Sequence, residues 1–291
     1  MRPRRCELIT AAALRSEGRM SRIILSLIGF LGLLLPASAC GPLQPCRVGP
    51  DAFYLVAPPP EWDGKQPIGA FVFIHGHRAT AAEMIGYREL VAAIHAQGFM
   101  LVAPQGLGDS WSTPGSPGDG RRDEVAFVSK VMDDVSKRFS IDPKRIVASG
   151  FSQGASVVWE IACHGDGRFQ AFLPIAGVWW QPMPKECKAP PRPLLHIHGM
   201  ADPVMPMGGR NLRDRWKQGD VRDAMVTLKK VNGCPAQPTR TEVLGPLTCE
   251  MFEGCLSDKP VALCLHEGDH HTNPRWITDV KDWLAAVLRK E

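Results

Sequence analysis

At 291 residues, with 44% hydrophobic and 22% charged side chains, the chain is long enough to bury one sizeable α/β core. Its formal net charge of +4 comes partly from an arginine-rich start, and no basic stripe with interleaved aromatics follows, which argues against a nucleic-acid partner. Neither an internal repeat nor an inter-domain linker is visible, and no obligate protein partner is evident.

Residues 1–39 read as an upstream leader and signal peptide, leaving 40–291 as one α/β domain. Met1 to Arg19 are basic, and Met20-Ser21-Arg22 offers a second start ahead of the apolar run Ile23 to Leu35. Pro36 breaks that run and Ala37-Ser38-Ala39 suits signal-peptidase cleavage, so a secreted or periplasmic protein is expected. An uncleaved anchor is the alternative, although the run is short for a membrane span. Cys40 directly after Ala39 also permits a lipoprotein.

Short apolar runs bounded by turn residues then recur as strand candidates: Ala52–Ala57, Ala70–Ile74, Phe99–Ala103, Arg145–Ser149, Ala171–Ile175, Leu194–Ile197 and Val261–Leu265. Helical patterns lie between several of them. Thr80–Gln97 is one, and Asp123–Phe139 is clearer, with Phe127, Val128, Val131, Met132, Val135 and Phe139 at three- and four-residue spacings. Asn273–Arg289 closes the chain with a stripe of Trp276, Val280, Trp283, Leu284 and Leu288. Alternating strands and helices predict a mostly parallel sheet covered on both faces, with chemistry at the carboxyl ends of the strands. The Gly/Ser/Pro-rich loop Gly106–Arg122 follows such a strand end. The cysteine-bearing segment Val231–Ser257 reads as an excursion packing near the last strand's loop.

Gly150-Phe151-Ser152-Gln153-Gly154 sits between the strand Arg145–Ser149 and a helix opening at Ala155. A serine on so sharp a strand-to-helix turn needs small residues two positions before and after it, and Gly150 and Gly154 supply them. Such a serine is a candidate nucleophile, and it needs a base, an acid that orients the base, and preorganised amide donors. After the strand Leu194–Ile197, Asp202 lies in the proline-bounded loop His198–Pro206 and is the candidate acid. After the last strand come His270 and His271. Adjacent residues point in different directions, so one of them reaches Ser152; His270 is the expected base and His271 the alternative. The backbone N–H groups of His77, in the His75-Gly76-His77 loop, and of Gln153 are the candidate oxyanion donors. His75 is expected to pack or hydrogen-bond beneath that loop. Trp111, Trp179 and Trp180 are possible substrate contacts, although apolar aromatics are more often core.

His75/His77 and His196/His198 share strand faces at i, i+2, but no carboxylate-rich motif accompanies them, so no metal is expected, and no other cofactor. Without Cys6, eight cysteines remain: Cys40, Cys46, Cys163, Cys187, Cys234, Cys249, Cys255 and Cys264. An even count in an exported chain favours disulfides, and no C-x-x-C pair supports zinc. Spacing suggests Cys40–Cys46 and Cys255–Cys264, with Cys163–Cys187 tying the serine's helix to a later loop and Cys234–Cys249 following by elimination.

Together His75-Gly76, Arg122-Asp123-Glu124-Val125-Ala126-Phe127, Asp142-Pro143-Lys144-Arg145-Ile146, Gly150–Ala155, His198–Val204 and Gly268-Asp269-His270 span nearly all of residues 40–291. On these motifs the chain resembles the secreted α/β-hydrolase esterases of the polyhydroxybutyrate depolymerase and feruloyl or acetylxylan esterase type. The resemblance implies an α/β-hydrolase fold stapled by disulfides. It also implies Ser152 as nucleophile, Asp202 as acid, His270 as base, and ester hydrolysis through an acyl-enzyme without a cofactor. Two positions depart from the pattern: Asp269 stands where a glycine is usual before the histidine, and His77 where a cysteine is frequent in the early loop. Gly150–Gly154 also resembles the carboxylesterase and phospholipase family, acting on soluble short acyl esters. A peptidase of the same fold and a catalytically silent hydrolase-fold binding protein are the remaining alternatives.

Overall fold

The computed structural model describes residues 40–256 and 258–289, so the leader and cleavage reading of residues 1–39 lies outside the described residues. In chain order the elements are β1 (Cys46–Gly49), β2 (Ala52–Ala57), β3 (Ile68–Ile74), α1 (Ala81–Gly86), α2 (Arg88–His95), β4 (Phe99–Pro104) and α3 (Glu124–Arg138). There follow β5 (Ile141–Phe151), α4 (Gln153–His164), β6 (Ala171–Ile175), β7 (Leu194–Gly199), the short pair β8 (Asn211–Leu212) and β9 (Trp216–Lys217), and α5 (Val221–Asn232). The chain closes with β10 (Arg240–Leu244), β11 (Leu247–Phe252), β12 (Val261–His266), α6 (Arg275–Asp279) and α7 (Lys281–Arg289).

Ten strands form one sheet in the order β1-β2-β4-β3-β5-β6-β7-β12-β11-β10. The six from β4 to β12 run parallel, and the two strands at each edge pair antiparallel. Alternation along β3 shows why the central strands are apolar throughout. Ala70, Val72 and Ile74 face one core with α3, α4 and α5, while Phe71 and Phe73 face the other with α2, α6 and α7.

Local chemistry sets the helix ends. Asp123 caps α3 by accepting from the Ala126 amide, and Lys137 and Arg138 occupy its last turn, matching the dipole. Thr80 and Glu83 form a capping box on α1. The single helix expected over Thr80–Gln97 is instead two, because Tyr87 leaves the helical region (φ −79°, ψ 88°) directly after Gly86. Likewise Asn273–Arg289 divides at Val280. The segment Val231–Ser257 is no excursion: it completes α5 and adds β10 and β11 to the sheet beside β12.

Four disulfides staple this frame. Cys40–Cys46 and Cys163–Cys187 pair as spacing suggests, but the other two pairs are exchanged, to Cys234–Cys255 and Cys249–Cys264. The antiparallel register of β11 and β12 sets Cys249 directly opposite Cys264. Cys234 follows the left-handed C-cap Gly233 of α5, which turns the chain toward Cys255. The bond from Cys40 to Cys46 engages the same Cys40 sulfur that acylation would need, and so lends the lipoprotein reading no support.

Candidate active site

β5 ends at Phe151 and α4 begins at Gln153, leaving Ser152 alone at the turn with φ 56° and ψ −120°. A non-glycine residue there is strained, and the surroundings hold it in place. The Ser152 amide donates to the Ile175 carbonyl at 2.9 Å, while its own carbonyl accepts from Ser156 at 3.1 Å. The flanking glycines are obligatory for contact: a Cβ on Gly154 would lie 2.0 Å from the Ile74 carbonyl oxygen, and one on Gly150 2.7 Å from the Gly154 backbone.

Asp202 and His270 converge on this serine. His270 Nε2 lies 2.9 Å from Ser152 Oγ, and His270 Nδ1 lies 2.7 Å from Asp202 Oδ2. An ionised carboxylate only accepts, so Nδ1 carries the proton and Nε2 is left to accept from the serine hydroxyl. Asp202 is buried, and its other oxygen accepts from the amides of Val204 and Met205, each at 2.8 Å. His271 turns away, bonding Asp269 Oδ1 at 2.9 Å and packing on His266 and Trp276. It takes no part in the constellation, because the loop sends neighbouring side chains to opposite sides.

Gln153 follows the serine directly and His77 lines the same cavity as Ser152, and no acceptor meets the His77 or Gln153 N–H among the described residues. Their segments are tied by a side-chain network that sequence reasoning missed. His77 Nδ1–H donates to Ser110 Oγ at 3.3 Å, and Ser110 Oγ–H donates to Gln153 Oε1 at 3.0 Å. The signal available was the position of Ser110 in the loop after the strand end of β4. His75 lies beneath, donating from Nδ1 to the Gly76 carbonyl and accepting from the Gly106 amide at Nε2. Burial pushes its pKa down, as expected of a neutral structural imidazole.

A cavity of about 350 Å³ opens beside Ser152, lined by Phe73, Ala79, Met84, Tyr87, Leu90 and Phe151 together with His77, His270 and Val204. The three tryptophans offered as possible substrate contacts take the other course, as core residues. Trp111, Trp179 and Trp180 are 1%, 0% and 4% exposed. The Trp111 indole donates to the His75 carbonyl, and Trp179 stacks edge-on against Trp159 at 4.7 Å. Rings of this size carry more apolar surface than the loops could leave in water. The His196 and His198 ring nitrogens are all engaged in hydrogen bonds, which leaves none free for a metal.

No protein-family model matches the chain. Feruloyl esterase D of Neurospora crassa is 25% identical over 280 residues, covering 87% of this chain and 88% of that protein. The chain has the α/β-hydrolase fold and is similar in sequence to feruloyl esterases. Feruloyl esterase C of Emericella nidulans is 29% identical over 187 residues, 62% of this chain and 60% of the relative, and other relatives are matched over 33–40% of their length. Among solved structures, the acetyl xylan esterase from Aspergillus awamori superposes with a TM-score of 0.59 at 12% identity, over 83% of this chain and 98% of that one.

Proposed function

We propose that this α/β-hydrolase is an exported serine esterase that hydrolyses carboxylic esters through an acyl-enzyme on Ser152. The observation that carries the reading is the unbroken path from Asp202 Oδ2 through His270 to Ser152 Oγ, at 2.7 and 2.9 Å. His270 Nε2 takes the hydroxyl proton as Oγ attacks the ester carbonyl, and Asp202 stabilises the imidazolium that forms. The amides of His77 and Gln153 stabilise the tetrahedral oxyanion. His270 then returns the proton to the departing alcohol. Water attacks the acyl-enzyme with His270 again as base, releasing the acid and restoring Ser152. No cofactor enters this sequence.

The apolar cavity supports an acyl group of about hydroxycinnamoyl size, in keeping with relatives named feruloyl esterases. An acetyl or short-chain ester is the second reading, favoured by the likeness to an acetyl xylan esterase fold. Polyhydroxybutyrate, whose depolymerases share the motifs, is the third substrate to be compared. Four disulfides support an oxidising, extracytoplasmic location. The test is a substrate panel of p-nitrophenyl acetate and butyrate, methyl ferulate, acetylated xylan and polyhydroxybutyrate film, run with wild type and Ser152→Ala. Ser152→Ala is expected to lower kcat by at least ~10³-fold on every ester hydrolysed; undiminished turnover in that variant overturns the assignment.

A further inference from the structure

We propose that His196 and His198 are positioning residues: with Trp159 they form a one-way hydrogen-bond relay that clamps the Asp202 turn so that Asp202 Oδ2 faces His270. The role rests on the serine-esterase reading of the same site, and neither histidine touches Ser152, His270 Nε2 or the cavity.

The relay begins on the nucleophile's own helix. The Trp159 indole N–H on α4 donates to His196 Nδ1 at 3.3 Å. His196 Nε2 lies 3.0 Å from His198 Nδ1, both rings projecting from one face of β7 at i, i+2. His198 Nε2 lies 2.6 Å from the Met205 carbonyl oxygen. The same Met205 residue donates its amide to Asp202 Oδ1 at 2.8 Å. One peptide unit further on, then, the chain is held by His198 through its oxygen and holds the acid through its nitrogen.

The direction of the relay is forced by its ends. An indole N–H can only donate and a backbone carbonyl can only accept. His196 must therefore be neutral with its proton on Nε2, and His198 neutral with its proton on Nε2. Any other tautomer, or a proton added to either ring, sets donor against donor or acceptor against acceptor in a fully buried row. Burial lowers both pKa values, which keeps the row neutral.

His198 Nε2 also lies 3.8 Å from Asp202 Oδ2, the oxygen that His270 uses. With its N–H committed to Met205, His198 does not compete for that oxygen. The relay thus fixes Oδ1 through the Met205 amide and leaves Oδ2 to orient His270. It also ties the acid's turn to α4, the helix that begins at the nucleophile.

The test compares two amide replacements in the full chain. In His198→Gln the terminal amide reaches the position of the ring Nε2 and can still donate to Met205. In His198→Asn the shorter amide can accept from His196 but cannot reach Met205. Activity is measured per active site, titrated by fluorophosphonate. His198→Asn is expected to lower kcat by about tenfold or more with KM changed less than about threefold, and His198→Gln to recover most of the loss. Equal kcat in His198→Asn and wild type, or equal loss in both variants, overturns the proposal. Should the variants fail to fold, ¹⁵N-histidine NMR of the wild-type protein decides: His196 and His198 are expected as neutral Nε2–H tautomers, and an Nδ1–H tautomer at either overturns it. Turnover surviving in Ser152→Ala would instead refute the esterase reading, leaving the tautomer result to stand separately.

Discussion

Adding one methyl group at Gly154 is expected to damage catalysis more than any substitution of similar size elsewhere in the turn. An alanine Cβ there would lie 2.0 Å from the Ile74 carbonyl oxygen and 2.6 Å from that of His75, where ordinary contact begins at 3.4 Å. Both obstacles are backbone, at the end of β3, and no side chain can rotate aside. The helix start and the His75–His77 loop must part by roughly 1 Å, which separates the Gln153 and His77 amides that would share one oxyanion. A misplacement of that size costs about 10²-fold in kcat. Overpacking adds a stability loss of about 1–3 kcal/mol, lowering the melting temperature by roughly 2–12 °C in a chain this long. Gly86→Ala is the control, since no atom lies within 4 Å of the added Cβ. Initial rates on p-nitrophenyl acetate, with thermal melts followed by circular dichroism, give both quantities. A Gly154→Ala protein with wild-type kcat and wild-type melting temperature would refute the close-approach argument for the turn.

Three further outcomes follow from other parts of the molecule. Glu160 is 5% exposed, and burial followed by the charge of Asp119 pushes its carboxyl from 4.5 up to about 7. In that window the native state holds a proton that the unfolded chain releases, so stability falls as pH rises from 4.5 to about 7 and then levels. Glu160→Gln is therefore expected to exceed wild type by up to roughly 3 kcal/mol in denaturant melts near pH 8, and to match it near pH 4. Replacing Cys249 and Cys264 by serine opens a cross-strand loop with a sequence separation of 15, for an expected loss of about 3 kcal/mol by calorimetry. Met84→Trp fills the cavity wall, and kcat/KM on methyl ferulate is expected to fall about tenfold more than on p-nitrophenyl acetate.

The central strands and the serine turn were legible because their signals are local. Apolar runs mark buried parallel strands, and Gly150 and Gly154 mark a turn whatever surrounds it. Asp202 and His270 were legible because they follow strands of the same sheet in chain order. Sequence left the tryptophans open between core and pocket, because burial depends on what packs above a loop, which no window of sequence contains. The disulfide exchange has the same origin. Cys249 and Cys264 are opposite only once Leu247–Phe252 is recognised as a strand antiparallel to β12.

Sheet order explains how three residues scattered over more than a hundred positions meet. β6 alone separates β5, which leads to Ser152, from β7, which leads to Asp202, and β7 pairs directly with β12, which leads to His270. The register sets Leu265 against His198 and His266 against Gly199, so the Asp202 and His270 loops leave the sheet side by side. Gly199 is needed at that exit, because a Cβ there would lie 2.5 Å from the Gly268 carbonyl oxygen and 2.6 Å from that of Asp269. Gly177 acts in the same way after β6, where a Cβ would lie 2.0 Å from the Ser152 carbonyl oxygen. Ser152, Asp202 and His270 are thus brought together by backbones in close contact at the ends of these strands, and glycine is the residue that permits each approach.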